Sequence, residues 1–365
     1  MAEPKTILFL SNHVITLYNF RRELIARLLA RGHRVVLSLP AAEENESFRS
    51  LGCELVETPV SRRGMNPAED LRLVLRYRRM MRRLRPDLIF SYTVKPNIYG
   101  CMASNALGLR QICNVTGTGA TFLRETALAR LVRLLYRLSL RRCHRVFFQN
   151  ADDRDYFIRH GLVRDNWAML PGSGVNLAEH PLRPMPDDGE IRFLFIGRIM
   201  AVKGVDQYLA AAAAVRARHP NARFYLAGCL EQARYGPLLE QASAAGTVEY
   251  LGFRRDIDDW IARCHCAVLP SLGGEGVPNV LLESAAAGRA CIASDVSGSR
   301  DVVDDGLTGY LFRPGDAADL TDKLERFLAL SAAERAEMGR RGREKAAREF
   351  DRELVIQAYL REAET

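Results

Sequence analysis

The sequence predicts an α/β protein built from two Rossmann-like domains, and three observations carry that expectation. Short apolar runs of strand length alternate with amphipathic helical stretches along nearly the whole chain. A stretch rich in Pro and Gly splits this alternation into two halves. The 365 residues suit two domains of about 100–200 residues each better than one core.

In the first half, residues 1–170, strands are expected at Thr6–Ser11, Arg34–Leu39, Glu54–Thr58, Asp87–Tyr92, Gln111–Val115, Arg145–Gln149 and Trp167–Leu170. Helix-length connections between them call for a parallel, doubly wound sheet. Residues 171–189 have linker composition, with Pro171, Gly172, Gly174, Pro181, Pro184, Pro186 and the pair Asp187-Asp188. The second half, residues 190–348, repeats the pattern with strands near Ile191–Ile196, Arg223–Ala227, Val248–Leu251, Cys266–Pro270, Ala290–Ser294 and Gly309–Phe312. Ser331–Arg348 is charged helical sequence. The tail, 349–365, reads as a last helix with no strand to follow it, free to cross back to the first domain.

With 48% apolar and 26% charged residues, the composition is that of a globular protein. No apolar run approaches the ~20 residues that span a bilayer, and Thr6–Leu10 meets Ser11-Asn12 too soon for a signal peptide. A cytoplasmic protein is expected. The eight cysteines lack the paired spacing of a zinc site or a disulfide framework, so reduced, mostly buried thiols are expected. In Cys264-His265-Cys266, neighbours entering a strand point to opposite faces and no second ligand pair exists, so no metal is assigned. Charge divides sharply. Residues 1–185 carry 29 Lys+Arg against 16 Asp+Glu (+13), and residues 186–365 carry 23 against 28 (−5), together the formal +8. A basic first half points to an anionic surface, lipid headgroups or nucleic acid.

The chemistry concentrates in the second half. The strand Ile191–Ile196 runs into Gly197-Arg198, followed by Lys203-Gly204 at a helix start, which places two cations at the carboxyl edge of a parallel sheet, where ligands bind. Arg as a fork and Lys as a point charge suit a diphosphate; a pair of surface salt bridges is the alternative. Further on, Gly273-Gly274-Glu275-Gly276-Val277-Pro278-Asn279-Val280-Leu281-Leu282-Glu283 sets two carboxylates eight residues apart around a glycine loop that opens a helix. Its first turn, with Pro278, offers free N–H groups to phosphate. Glu283 lies about a turn further on, within reach of a ribose diol, and Glu275 in the loop can meet a sugar.

These residues resemble retaining glycosyltransferase family 4, of the GT-B fold: Glu275 and Glu283 resemble its paired-glutamate signature, and Gly197-Arg198…Lys203-Gly204 its diphosphate segment. The likeness continues through Ala286-Ala287-Gly288, Asp295, Gly298 and Gly306–Phe312. The first half is similar to bacterial members that add an N-acetylhexosamine to undecaprenyl-diphosphate-linked glycans, through Leu17-Tyr18-Asn19-Phe20-Arg21, Lys95-Pro96-Asn97 and Gly117-Thr118-Gly119. The chain departs from the many members that carry paired glycines after the first strand; it has Ser11-Asn12-His13-Val14. The resemblance implies two domains facing each other across a cleft, with a nucleotide sugar, a UDP-sugar, held by the second. It implies Glu283 on the ribose, Glu275 on sugar hydroxyls, and Arg198 with Lys203 on the diphosphate. Gly197, Gly276, Val277, Asn279 and Val280 complete the expected donor site, with Arg198, Lys203 and Glu275 catalytic. It implies retention and a polyprenyl-diphosphate-linked saccharide as acceptor. No cofactor and no metal are expected.

For the acceptor, the first half supplies Asn12, His13, Tyr18, Lys95, Asn97, Gly117 and Gly119. His13, just past the first strand, can orient a hydroxyl or be an ordinary loop histidine. Lys95 holds phosphate or is solvated, and Gly117 with Gly119 touches substrate or makes a turn. On a helical wheel Arg72, Arg76, Arg79 and Arg83 share one sector opposite Leu73, Tyr77, Met80, Met81 and Leu84. A second stripe, Arg130, Arg133, Arg137 and Arg141, opposes Leu128, Val132 and Leu135. Both suit docking on the anionic inner face of the cell membrane, although their apolar sides must also pack on a sheet.

Other functions fit less well. A dinucleotide oxidoreductase lacks its G-x-G-x-x-G, since Ser11-Asn12-His13-Val14-Ile15-Thr16 follows the first strand. An epimerase of similar architecture is the nearer enzyme alternative. A noncatalytic nucleic-acid-binding protein would explain the basic half alone, and nucleic acid is not an expected partner. Asp153-Arg154-Asp155 and Asp256-Ile257-Asp258 read as acids in first helical turns rather than metal ligands.

Overall fold

A computed structural model describes residues 3–60, 66–122 and 125–365. It divides into two units, residues 1–173 with 353–365, and residues 174–352. Each is an all-parallel sheet covered by helices on both faces.

In unit 1 the strands are β1 Thr6–Leu10, β2 Arg34–Leu39, β3 Glu54–Glu57, β4 Leu88–Tyr92, β5 Gln111–Val115, β6 Arg145–Phe148 and β7 Trp167–Met169, in the order β3-β2-β1-β4-β5-β6-β7. In unit 2, β8 Ile191–Ile196, β9 Ala222–Ala227, β10 Glu249–Gly252, β11 Cys266–Leu269, β12 Ala290–Ser294 and β13 Gly309–Phe312 are ordered β10-β9-β8-β11-β12-β13. Each expected strand forms, with ends displaced by at most one residue. The order reverses between β1 and β4 and again between β8 and β11, and these switch points open a crevice at the carboxyl edge.

The helices are α1 Val14–Ala30, α2 Asn45–Ser50, α3 Pro67–Leu84, α4 Cys101–Asn105, α5 Ala127–Leu140, α6 Ala151–Arg159, α7 Val205–Arg216, α8 Tyr235–Ala244, α9 Ile257–Arg263, α10 Asn279–Ala286, α11 Ser299–Val302, α12 Ala317–Ala329, α13 Ala332–Glu349 and α14 Arg352–Glu364. Their starts follow from side chains that satisfy otherwise unpaired N–H groups. Asn66 caps α3 ahead of Pro67, Thr126 caps α5, and Ser331 with Glu334 forms a capping box on α13. In unit 1 one face of the sheet packs on α1, α2 and α14, the other on α3 to α6.

The chain's last helix thus returns to unit 1. Val355, Ile356, Tyr359 and Leu360 are buried beside Leu17, Leu24 and Phe90, and the Tyr359 hydroxyl donates to Asn114. The stretch read as a linker is ordered structure of unit 2 from Gly174 onward. Buried Arg289 fixes it, donating to the carbonyls of Arg183 (2.9 Å), Pro184 (2.7 Å), Ile261 (3.1 Å) and Ala262 (2.9 Å). A buried guanidinium needs such partners, and a prolyl-rich strap offers carbonyls with few competing N–H groups.

Candidate functional site

At the switch point of unit 2, two strand ends are brought together by a glycine. Gly204 has φ +74°, and a Cβ there would lie 1.8 Å from the Pro270 carbonyl oxygen. The turn after β8 therefore lies against the end of β11, and Leu272 N–H donates to the Val202 carbonyl at 2.8 Å. This seats the Lys203 ammonium on the Glu275 carboxylate, which also accepts the Ser271 hydroxyl at 2.6 Å. Lys203 and Glu275, read separately as phosphate and sugar groups, are thus ion-paired, each side chain less than a fifth exposed. An ammonium has three N–H donors, so this contact leaves Lys203 capacity for an anion. Arg198, just past β8, is exposed and has no side-chain partner among the described residues.

The loop 273–276 enters α10 through Pro278, which is the N-cap (φ −69°, ψ 115°) and not a residue of the first turn as expected from sequence. The loop is backed by Gly298, where a Cβ would lie 1.4 Å from the Gly276 carbonyl oxygen. Gly276, Val277 and Pro278 are buried; Asn279 and Val280 are half-buried, and the Asn279 Oδ1 is buried without a partner. Glu283 is half-buried, and its carboxylate takes no hydrogen bond among the described residues. Burial raises its pKa, with the positive charge of His180 opposing. His180 is bonded through Nδ1 to Asp258 at 2.9 Å. Burial works against its charged form, yet the Asp258 hydrogen bond and the charges of Glu283, Asp258 and Glu179 raise its pKa on balance. Gly197 lies half-buried at the end of β8.

Unit 1 presents a different edge. His13 is the N-cap of α1, with Ser11 Oγ bridging its N–H (3.3 Å) and its carbonyl (2.9 Å), and Asn12 stands half-buried beside it. Lys95 is bonded to Asp70 at 2.7 Å, and the Tyr99 hydroxyl donates to the other Asp70 oxygen at 2.7 Å. Two residues expected at the acceptor have partners inside unit 1. Asn97 is buried, its amide donating to the Asn114 carbonyl (2.8 Å) and its oxygen accepting from Ser91 (2.8 Å), so it fixes the turn after β4. The Tyr18 ring packs edge-on against Phe48 beneath Arg22. Gly117 (φ +112°) and Gly119 (φ +63°) flank Thr118, which is hydrogen-bonded to Asp153. A cavity of about 480 Å³ at this edge is lined by Pro40, Pro59, Asp70, Arg72, Arg76 and Lys95 among others. Thr93, at the end of β4, has φ +72° and a buried hydroxyl without a partner, a strained conformation for a β-branched residue.

On α3, Leu73, Tyr77, Met80 and Met81 are buried and Arg72, Arg76, Arg79 and Arg83 exposed, with Leu71 and Leu75 on the outside too. On α5 the sheet is met by Ala129, Tyr136 and Leu140, whereas Leu128, Leu131, Leu134 and Leu138 are exposed among Arg130, Arg137 and Arg141. The expectation that Leu128 packs inward is therefore corrected. Arg133 is drawn to Glu125 and Tyr156. Among the described residues no helix is long and apolar enough to cross a membrane.

The groups weighed as metal ligands are committed to other partners. His265 accepts from Arg192 N–H and bonds the Pro186 carbonyl, both at 3.1 Å, and burial lowers its pKa to about 4. Asp256 pairs with Arg254 and Asp258 with His180; buried Asp153, raised by burial to about 6, is bonded to the α6 cap Asn150. The buried thiols of Cys101, Cys113 and Cys143 lie together, each within reach of a carbonyl oxygen as donor.

Sequence reasoning missed Ser271, Asp70, Tyr99, His180 and Asp258. Ser271 stands four residues before Glu275 at a strand end, a findable signal; His180 lay in apparent linker and had none.

Comparison with known proteins identifies the family and the fold. Residues 19–172 match the family model "Glycosyl transferase 4-like domain", and residues 190–329 match "Glycosyl transferases group 1". The chain is 27% identical, over 97% of its length and 96% of the relative's, to the N,N'-diacetylbacillosaminyl-diphospho-undecaprenol alpha-1,3-N-acetylgalactosaminyltransferase of Campylobacter jejuni. In fold it is similar to Anabaena HepE in complex with UDP and glucose (TM-score 0.80, 18% identity, 98% and 99% of the two chains). It is likewise similar to sucrose-phosphate synthase from Thermosynechococcus elongatus (TM-score 0.80, 20% identity, 98% of each chain).

Proposed function

This chain belongs to the family-4 glycosyltransferases of GT-B fold, and from that premise we propose that it moves an N-acetylhexosamine from a UDP-sugar to a polyprenyl-diphosphate-linked saccharide, with retention of anomeric configuration. The observation that carries this reading is the Lys203–Glu275 pair at the unit 2 switch point, with an unpartnered Glu283 eight residues further along. Carboxylates without protein partners suit hydroxyl-rich ligands, whose O–H groups supply the missing donors.

In this reading Glu283 accepts the ribose diol, and Glu275, steadied by Ser271, accepts sugar hydroxyls. Lys203 and Arg198 meet the diphosphate. As the sugar–phosphate bond breaks, negative charge grows on the leaving oxygen, and two fixed cations stabilise it without a metal. The acceptor hydroxyl attacks from the same face and its proton passes to the leaving phosphate, so the new bond keeps the old configuration. The relative's name, with its diphospho-undecaprenol acceptor and N-acetylgalactosamine, supports the substrate classes. Membrane attachment at the inner face is supported by the arginines and outward leucines of α3 and α5, an arrangement that suits anionic lipid.

The test is turnover of a panel of nucleotide sugars with lipid-linked acceptors extracted from membranes, read by nucleotide release and product mass. Anomeric coupling in the product, with and without chelator, reads the mechanism. An inverted linkage, or activity lost to chelator and restored by Mg²⁺ or Mn²⁺, would overturn retention or metal independence.

A further inference from the structure

We propose that unit 1 carries a buried zinc site, formed by the thiolates of Cys101, Cys113 and Cys143 with the side-chain oxygen of Gln111 as fourth ligand. No spacing in the sequence marks it, because its parts come from three separate segments. Cys101 opens α4, Gln111 and Cys113 project from one face of β5, and Cys143 lies in the turn between α5 and β6. The fold gathers the cysteines on the face of the sheet covered by α3 to α6. Their three sulfurs lie within 4.8 Å of one another, and Cys143 Sγ is 3.4 Å from Cys113 Sγ. Tetrahedral zinc with bonds of ~2.3 Å to sulfur sets its sulfurs about 3.8 Å apart, so these three can close on an ion by shifts of at most about 1 Å.

Gln111 sets this cluster apart from ordinary packed thiols. It is fully buried, and its side-chain oxygen has no hydrogen-bond partner among the described residues. Its amide nitrogen lies 3.5 Å from Cys113 Sγ and 2.8 Å from Ser91 Oγ. A half-turn of the amide puts the oxygen where the nitrogen stands, and Gly100 leaves room for it, since a Cβ there would lie 3.3 Å from the nitrogen and 3.6 Å from the oxygen. The sulfur-to-oxygen edge of a zinc tetrahedron, with bonds of ~2.3 and ~2.1 Å, is about 3.6 Å. A buried acceptor without a donor is costly, and a cation satisfies it. Charge selects the ion. One Zn²⁺ releases three thiol protons to water and leaves one net negative charge, whereas Cu⁺ on the same sulfurs leaves two, a larger charge to bury. Ser91 O–H, 3.4 Å from Cys113 Sγ, is placed to donate to the charged sulfur. The hydrogen bonds given up are weak: Cys101 thiol to the Ser139 carbonyl at 3.3 Å and Cys143 thiol to the Gln111 carbonyl at 2.9 Å. The way in is short, because Cys143 stands between exposed Arg142 and His144. Mg²⁺ and Mn²⁺ prefer oxygen ligands, so this site is separate from the question of a metal in transfer.

The full chain, reduced and freed of metal, is loaded with one equivalent of Zn²⁺, passed through gel filtration, and read by elemental analysis and zinc-edge X-ray absorption. The expected result is one retained zinc per chain, with three sulfur neighbours and one oxygen. Cd²⁺ in place of Zn²⁺ should give a sulfur-to-metal charge-transfer band that saturates at one equivalent and is bleached by added Zn²⁺. In Cys113→Ser the affinity for Cd²⁺ should fall by more than the roughly 10–100-fold that loss of an outer partner costs a metal site, and in Gln111→Leu by roughly tenfold with the band kept. Cys229→Ser, which removes the exposed thiol instead, should match the parent. Zinc lost on gel filtration, a neighbour set without three sulfurs, or parent-like binding by folded Cys113→Ser overturns the site. Parent-like binding by Gln111→Leu overturns its fourth ligand. Should Cys113→Ser fail to fold, the X-ray absorption of the zinc-loaded parent decides alone.

Discussion

The two units share one topology and use its switch point in opposite ways. In unit 2 the groups at the crevice are few and incompletely satisfied: Arg198 has no side-chain partner among the described residues, Glu283 none for its carboxylate, and Lys203 has N–H donors to spare beyond Glu275. In unit 1 the corresponding groups are largely taken up by each other, Lys95 and Tyr99 by Asp70, Asn97 by Ser91 and Asn114. On the proposed function, the difference teaches where specificity is stored. A site for a charged, hydroxyl-rich nucleotide keeps its polar groups ready for the ligand, because any internal partner must be displaced at a cost. A site that reads a bulkier saccharide can be a shaped cavity whose polar wall is fixed in advance.

This contrast is broken or sharpened most strongly at the unit 2 cations. Arg198→Ala and Lys203→Ala are expected to keep their fold, because neither side chain supports the core, and to lower the transfer rate by ~10²–10³. Rapid-quench measurement of product at saturating substrates checks this, and near-parent rates would remove these residues from the reaction. Next comes Glu283→Ala, expected to weaken nucleotide binding by ~1.5–3 kcal/mol through loss of charged hydrogen bonds. Unchanged calorimetric affinity in a folded variant would move the ribose elsewhere.

A smaller effect is expected in unit 1. Asp70→Asn removes the charge that holds Lys95, and the KM for acceptor should change several-fold, the scale of a part-buried polar contact of about 1 kcal/mol, while the KM for the nucleotide sugar stays put. Equal shifts in both constants would erase the distinction between the units. Smallest is the lipid-facing change. Replacing Arg76, Arg79 and Arg83 with Gln should lower sedimentation with anionic vesicles and affect a short soluble acceptor least, and the difference from the parent should shrink at high salt. Vesicle binding equal to the parent's would leave the basic face without a role in docking.

Much of this was legible in the sequence, for identifiable reasons. A strand in a parallel sheet buried on both faces is a short apolar run with branched and aromatic residues, so Ile191–Ile196 or Ala290–Ser294 declares itself locally. The residues proposed to hold the nucleotide sugar stood out in the sequence because the glycine loop, the helix start and both glutamates occupy one stretch, 273–283. What proximity alone creates was not legible. No pattern in residues 171–189 marks a strap bolted by Arg289, or places His180 beside α10 and against Asp258, because those contacts join segments about 80 to 100 residues apart, whose meeting is set by the order of strands in the sheet.

The sequence by itself determined the alternation of strands and helices, the division into a basic and an acidic half, and the chemical character of the glycine loop ahead of α10, since each depends on residue type and short-range spacing. Only the tertiary structure decided that Lys203 meets Glu275, that Asn97 is consumed inside unit 1, that the last helix packs in unit 1, and that the leucines of α5 face outward. The reason is physical. A hydrogen bond or an exposed face depends on which atoms lie within a few ångströms, and in a doubly wound fold that is decided by how strands far apart in the chain are laid side by side.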